Sequence, residues 1–202
     1  MESIKKIMNF VFLPLRVILK PEPVRKLGLT PIVDERHKIV LSHVNGKLLD
    51  IGCGENLLVK QYGDGIGVDV FPWEAIDVLV HTTHLPFPEK KFDTITFMAS
   101  VNHIPESIRN KVLDEAFRIL KDDGQILITM ITPKISYIGH NYLWGWRDPD
   151  IQDRGMKEGE EWGFSQKEMV NILEKSNLEI NLHKKFVYGL NHLYIVKKKN
   201  FG

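Results

Sequence analysis

The sequence predicts an α/β protein built on a doubly wound, mostly parallel sheet with helices on both faces. Three observations predict it. Strand-like and helix-like segments alternate from Lys47 to Ile131. The first strand, KLLDIG, runs straight into a turn carrying Gly52 and Gly54 with one residue between them. The next strand, GIGVDV, is apolar up to an acid, Asp69, at its carboxyl end. Right-handed crossovers gather such loops on one sheet edge, and ligands of these sheets bind there, where strand order reverses.

The elements follow in order. Residues 1–20, MESIKKIMNFVFLPLRVILK, place Ile4, Ile7, Met8, Val11, Leu15 and Ile18 at helical spacing, with Lys5, Lys6, Arg16 and Lys20 among them. Pro14 and Arg16 interrupt the apolar run, which is too short to span a bilayer, and no small-residue cleavage site follows it. Three readings are open: a helix packed on the domain or covering its ligand, a helix lying on an anionic membrane surface, and a removed targeting segment. The first is preferred. Pro21, Pro23 and Pro31 mark a link, so residues 1–31 are divided from a domain over 32–202.

Within that domain IVDERHKIVLSHV reads as a helix, with Asp34 near its start. After the first strand a helix runs from about Glu55 to Tyr62, followed by the strands GIGVDV, IDVLVH and FDTITFMA. Pro105 opens the helix ESIRNKVLDEAFRIL, whose Ile108, Val112, Leu113, Ala116, Ile119 and Leu120 form one apolar stripe. KDDG is expected to end it, with Gly124 as the helix stop. QILITMI is the fifth strand, and an aromatic insert spans about 133–164. In SQKEMVNILEKSN, Ser165 and Glu168 have the spacing of a capping box. Two strand-like runs, LEINLHKKF and LNHLYIVKKK, follow.

Composition narrows the partners. A chain of 202 residues suits one domain, or a domain with a small appendage. A net charge of +1 offers no excess of base, so nucleic acid is not an expected partner. The lone cysteine, Cys53, excludes an intrachain disulfide and fits a reducing, cytoplasmic compartment. His81 and His84 have ligand-like spacing without evident further ligands, so no metal is expected.

A glycine-rich turn alone does not choose its ligand. A dinucleotide fingerprint wants a third glycine where Leu57 stands, and a phosphate loop wants a Gly-Lys-Ser/Thr that does not follow. What remains is an acid before the turn, Asp50, suited to a cationic amino group, and Asp69. The Asp69 carboxylate can accept both hydroxyls of a ribose, in bonds of about 1.5–3 kcal/mol each before costs.

DIGCGEN, GVDV, HTTHLPFPEKKFDTITFMASVNHIPE and FRILKDDGQILI, in this order and spacing, resemble the motifs of class I S-adenosylmethionine-dependent methyltransferases with a D-x-G-C-G signature. The likeness covers roughly residues 46–132. It implies a Rossmann-like seven-stranded sheet whose last strand runs antiparallel, which gives both final runs a place. It implies S-adenosyl-L-methionine as cofactor and S-adenosyl-L-homocysteine as product. It further implies that Gly52, Cys53 and Gly54 admit the methionine part, and that Asp50 anchors the turn or the amino group. Asp69 then binds the ribose, while Val70, Phe71 and Met98 line the cofactor. Two departures stand out. Many relatives have a third glycine where Asn56 stands, a residue that tolerates left-handed backbone angles. Relatives usually offer an acid and a small residue to the adenine where this chain has His81 and Thr82.

His103, in SVNHIP, sits where the family points a loop at the reacting methyl. Two readings are open: a general base for an acceptor hydroxyl, or a piece of pocket wall. The same loop lacks the Asn/Asp-Pro-Pro-aromatic motif of enzymes that methylate exocyclic amines of DNA bases, so base methylation is not expected. Cys53 has no activating base and reads as a small buried apolar side chain. The insert holds Tyr137, Tyr142, Trp144, Trp146, Trp162 and Phe164, too many aromatics for disorder. By resemblance it contributes to the acceptor pocket, with Tyr142, Trp144, Trp146 and Arg147 as candidate contacts; the other reading is a satellite core over the sheet end. The expected function is direct in-line methyl transfer to a small molecule, lipid precursor or glycan. The alternative is a non-catalytic subunit that binds S-adenosylmethionine or S-adenosylhomocysteine and serves a regulatory or partner role. Residues 1–20 are a candidate peripheral membrane contact.

Overall fold

All four residues of β1 (Leu48–Ile51) are buried, as a parallel sheet covered on both faces requires. The computed structural model describes residues 2–81, 83–144 and 158–199. With β1, the strands β2 (Gly65–Asp69), β3 (Val78–Leu79), β4 (Phe92–Met98), β5 (Leu120–Ile131), β6 (Leu178–Phe186) and β7 (Asn191–Lys198) form one sheet in the order β3-β2-β1-β4-β5-β7-β6. β1 to β5 pair in parallel, and β7 runs antiparallel to both β5 and β6. This is the Rossmann-like seven-stranded sheet with its last strand reversed. Strand order changes direction between β1 and β4, which opens a crevice at their carboxyl ends.

Alternation along the strands divides the core. Leu48 packs with Val40, Leu58, Val59 and Phe186 on the face covered by α4 (Ile32–Leu41) and α5 (Leu57–Tyr62). Leu49 and Ile51 pack with Val112, Leu113, Ala116, Met169 and Leu173 on the opposite face, beneath α6 (Glu106–Ile119) and α8 (Gln166–Glu174). The Ser165 capping box is formed in both directions at the start of α8.

Gly124 does not stop a helix. α6 ends at Ile119, and Leu120 is already extended and paired with Phe92, so KDDG lies inside β5. The register slips between the Phe92–Leu120 and Thr94–Gln125 pairs. A Cβ on Gly124 would stand 2.7 Å from Leu120 Cδ1 and 3.0 Å from the Asp93 carbonyl oxygen. Its glycine answers a close approach across a bulge.

The N-terminal segment differs more. It forms three short helices, α1 (Glu2–Val11), α2 (Leu13–Ile18) and α3 (Pro21–Lys26). Pro14 falls in the first turn of α2, where its missing N–H breaks no bond. The segment packs on the domain, but through its polar face. Asn9 and Arg16 are 8 % and 3 % exposed, whereas Ile4, Ile7, Phe10 and Val11 are each at least 60 % exposed. Asn9 and Thr30 bond each other twice, at 3.1 and 2.9 Å. The Arg16 guanidinium donates to the Thr30 carbonyl at 2.7 Å, the Asn9 carbonyl at 3.0 Å and Glu35 Oε2 at 2.6 Å. Among the described residues no helix is long and apolar enough to cross a membrane. α7 (Pro133–Ile138) and a π-helical turn (Gly139–Trp144) begin the insert.

Candidate active site

The turn after β1 carries the geometry that its glycines announce. Gly52 has φ +74°, and a Cβ there would come within 2.6 Å of Ser100 Cβ, so the loops after β1 and β4 touch. Gly54 has φ +52° and nothing within 4 Å of its Cβ position. Asn56 is left-handed at φ 57° and begins α5. Its Nδ2 donates to the Ala75 carbonyl at 3.1 Å and to Asp77 Oδ2 at 3.0 Å, and Asp77 in turn accepts the Gly67 N–H at 2.7 Å. The loop after β2 is thereby tied to the turn after β1.

Two acids stand at the strand ends. Asp69 accepts the Gly54 N–H on Oδ2 and the Phe71 N–H on Oδ1, each at 3.0 Å. Each oxygen keeps a further acceptor site. Asp50 is 1 % exposed. Burial pushes its carboxyl up to about 7, against a 2.6 Å bond from Thr96 Oγ1 that favours the charged form, while the neighbouring Asp69 raises it further.

These groups line one cavity of about 610 Å³, an ordinary size for a small-molecule site. Of the residues singled out in the sequence, Asp50, Gly52, Cys53, Gly54, Asp69, Val70, His81, Met98 and His103 are in its wall. Phe71 is not; its ring lies 4.6 Å from that of Trp73, which is. Thr82, Trp146 and Arg147 lie outside the described residues, as does the Trp144 side chain. Tyr142 is 74 % exposed and away from the cavity. Cys53 is half-buried rather than buried, and burial, with the acids Asp50, Asp69 and Asp77, holds its thiol neutral. His81 is exposed at the rim, with Nδ1 3.3 Å from Thr83 Oγ1.

His103 closes a 3-10 turn, Val101–His103, before α6. Its Nδ1 stands 3.4 Å from Oε2 of Glu160, whose side chain is fully withdrawn from solvent. The far end of the insert is stitched to this turn. Glu161 N–H donates to the Asn102 carbonyl at 2.8 Å, Asn102 Nδ2 donates to the Glu161 carbonyl at 3.1 Å, and Glu106 N–H reaches the Gly159 carbonyl at 3.0 Å.

Sequence reasoning missed Arg36, His37, Trp73, Ser100 and Glu160, all in the cavity wall. Arg36 is the most informative. Its Nη2 donates to Asn191 Oδ1 at 3.1 Å, but its Nε is buried without a partner among the described residues. Burial pushes this guanidinium down to about 10. His37 Nδ1 is likewise buried and unpartnered. Trp73 was within reach of the GVDV motif. Arg36 and Glu160 come from opposite ends of the chain, and no spacing pattern links them to the turn.

Residues 27–183 match the methyltransferase domain family. An uncharacterized protein of Methanocaldococcus jannaschii is 32 % identical over 94 residues, which take in 41 % of this chain and 36 % of that protein. The match thus spans about a third of that relative's length. A chain in the complex between the Haloferax volcanii Trm112 methyltransferase activator and the putative methyltransferase superposes with a TM-score of 0.62 at 14 % identity, covering 83 % of this chain and 92 % of that one. The Burkholderia thailandensis 1,6-didemethyltoxoflavin-N1-methyltransferase, with 1,6-didemethyltoxoflavin and S-adenosylhomocysteine bound, gives 0.60 at 16 %, covering 82 % and 77 %. At such identities these likenesses are of fold. The family match takes in every lining residue from Arg36 to Glu160, and by it this chain belongs to the methyltransferase-domain family, with the fold of the class I S-adenosylmethionine-dependent enzymes.

Proposed function

We propose that this protein transfers the methyl group of S-adenosylmethionine to a small-molecule, lipid-precursor or glycan acceptor by direct in-line attack, leaving S-adenosylhomocysteine. The observation that carries the reading is the charge layout of the cavity. Two strand-end carboxylates, Asp50 and Asp69, share it with one incompletely paired guanidinium, Arg36, beside the open glycine Gly54. The cofactor has a partner for each: a ribose diol for Asp69, an ammonium for Asp50 and a carboxylate for Arg36. Val70, Trp73, Met98 and His81 are then the adenine side, with Phe71 contributing through its ring contact with Trp73 and Thr82 proposed to join them. Leu57 stands where a pyrophosphate turn needs a third glycine, which disfavours a dinucleotide.

Bound there, the cofactor supplies an electrophilic methyl carbon on a sulfonium. Held by Asp69, Asp50 and Arg36, the cofactor would offer that methyl for in-line transfer to an acceptor lone pair, with the carbon–sulfur electron pair leaving on sulfur. The chain's part is alignment, which supplies several kcal/mol by itself, on the order of 7–11 at best. Where the acceptor is a hydroxyl a proton must also leave. His103 is the base in this reading, with Glu160 orienting its ring. Trp144, Trp146 and Arg147 remain the proposed acceptor contacts, supported by the insert's tie to the His103 turn, whereas the exposed Tyr142 drops out of that set.

Two measurements test this. S-adenosylhomocysteine is expected to raise the melting temperature in a thermal-shift titration while NAD leaves it unchanged; the reverse ranking removes the methyltransferase reading. A metabolite extract incubated with a labelled methyl donor is then expected to yield a labelled product for mass identification. Cofactor binding with no product from any extract favours the non-catalytic subunit.

A further inference from the structure

The inverted packing of the N-terminal helices leaves an apolar surface exposed among the described residues. On α1, Asn9 faces the domain while Ile4, Ile7 and Val11 fall on the opposite side, and α2 continues the outer face with Leu15 and Ile18, 39 % and 42 % exposed. This orientation is fixed. Arg16 holds three acceptors, Tyr188 Oη donates to the Lys6 carbonyl at 3.0 Å, and the Phe10 ring meets that of Tyr188 at 5.0 Å. A contiguous apolar face held outward by buried polar anchors marks an interaction site rather than a misplaced core.

Charge selects the occupant. Of the six basic side chains in residues 1–30, Arg16 is paired with Glu35 and Arg25 with Asp34, which leaves Lys5, Lys6, Lys20 and Lys26 against Glu2 and Glu22, a net +2, whereas residues 31–202 contain 21 basic and 24 acidic side chains, a net −3. Lys5 and Lys6 lie on either side of Asn9 around α1, so they border the apolar face, where long stems let ammonium groups reach a charged interface. Apolar residues flanked by lysines on a short surface helix are the pattern of an interfacial helix. We propose that the outer face of α1 and α2 docks onto an anionic lipid bilayer. The proposal is independent of which acceptor is methylated.

The test is co-sedimentation of the full chain with vesicles of phosphatidylglycerol and phosphatidylcholine in equal parts, beside vesicles of phosphatidylcholine alone. Binding is expected to the anionic vesicles and to fall several-fold, roughly as exposed charges are screened, when salt is raised. Ile7→Asp with Val11→Asp is expected to cut bound protein by about tenfold or more, with melting temperature and cofactor affinity unchanged because both side chains already face solvent. Lys5→Glu with Lys6→Glu is expected to remove the preference for anionic vesicles. Wild-type protein that stays in the supernatant overturns the proposal, as does an Ile7/Val11 variant that sediments like wild type. A wild-type dimer that ignores vesicles and becomes a monomer in that variant assigns the face to a second copy instead.

Discussion

Arg16 is withdrawn from water and Arg36 is half-buried in the cavity wall, and they differ in what they hold. Arg16 spends its guanidinium on three acceptors, one of them the Glu35 carboxylate. Among the described residues Arg36 has one side-chain bond, to an asparagine oxygen, and a buried Nε with none. A buried charge with its partners in place is an anchor; removing it leaves other groups unpaired. A charge with fewer partners, facing a cavity, is left for a ligand or solvent to complete. The contrast separates structural from functional polar residues without knowing the ligand, and Asp50 and Asn9 divide the same way.

The largest expected effect lies on the cavity side. Asp69→Ala should weaken S-adenosylhomocysteine binding by about 2–4 kcal/mol, from two charge-assisted bonds and a ribose left unpaired. Calorimetry on a folded variant checks it, and an unchanged affinity would move the ribose elsewhere.

The two arginines should then respond in opposite ways. Arg16→Ala should lower unfolding stability by about 2–3 kcal/mol, since it strips three bonds and leaves Glu35 without its cation, and should leave cofactor affinity intact. Arg36→Leu should cost about 1.5–3 kcal/mol of cofactor binding, the worth of bonds to a charged group, while stability holds or rises. Urea titration and calorimetry on both variants decide the matter. If both lose the same property, the contrast between anchor and vacancy is wrong.

Asp50 gives the finest test. Its folded carboxyl is raised to about 7 from an ordinary 3.8, so the protonated form is favoured on folding. The resulting stability is fully present below the unfolded value and is lost as pH rises through about 7. An ammonium bound beside it favours the carboxylate, so cofactor affinity should strengthen with rising pH by up to about tenfold per unit, about 1.4 kcal/mol, until the carboxyl has ionised. Asp50→Asn should flatten that part of the profile. A slope that survives the substitution assigns the titration to another group.

Much of the frame was readable because it depends on local chemistry. The apolar stripe of α6, the Ser165–Glu168 box and the left-handed Asn56 all follow from neighbours in sequence. The failures were of tertiary origin. Gly124 looked like a helix stop because nothing in KDDG reveals that β5 begins at Leu120 and crowds it. The stripe of residues 4–18 looked like a packing face because periodicity reports amphipathicity and not which side meets the domain; Arg16 reversed the answer through bonds to Thr30 and Glu35. Within the site, strand-end acids were legible from the alternation of strand and turn. Arg36 and Glu160 were not, since only the folded chain brings the middle of α4 and the end of the insert to the same cavity.

The position of β7 has a consequence for the order in which the molecule is made. β7 follows β6 in sequence, yet it lies inside the sheet, between β5 and β6. A nascent chain that has reached Phe186 therefore carries β6 with no neighbour and β5 with one edge bare. Leu193, Tyr194, Ile195 and Val196, all buried in the finished sheet, are still to come. Until they emerge, the half of the sheet beyond β5 has nothing to join it, and its open edge invites pairing with other chains. The crevice between β1 and β4 draws on strands synthesised earlier, so the ligand-binding half can assemble before β7 joins β5 to β6.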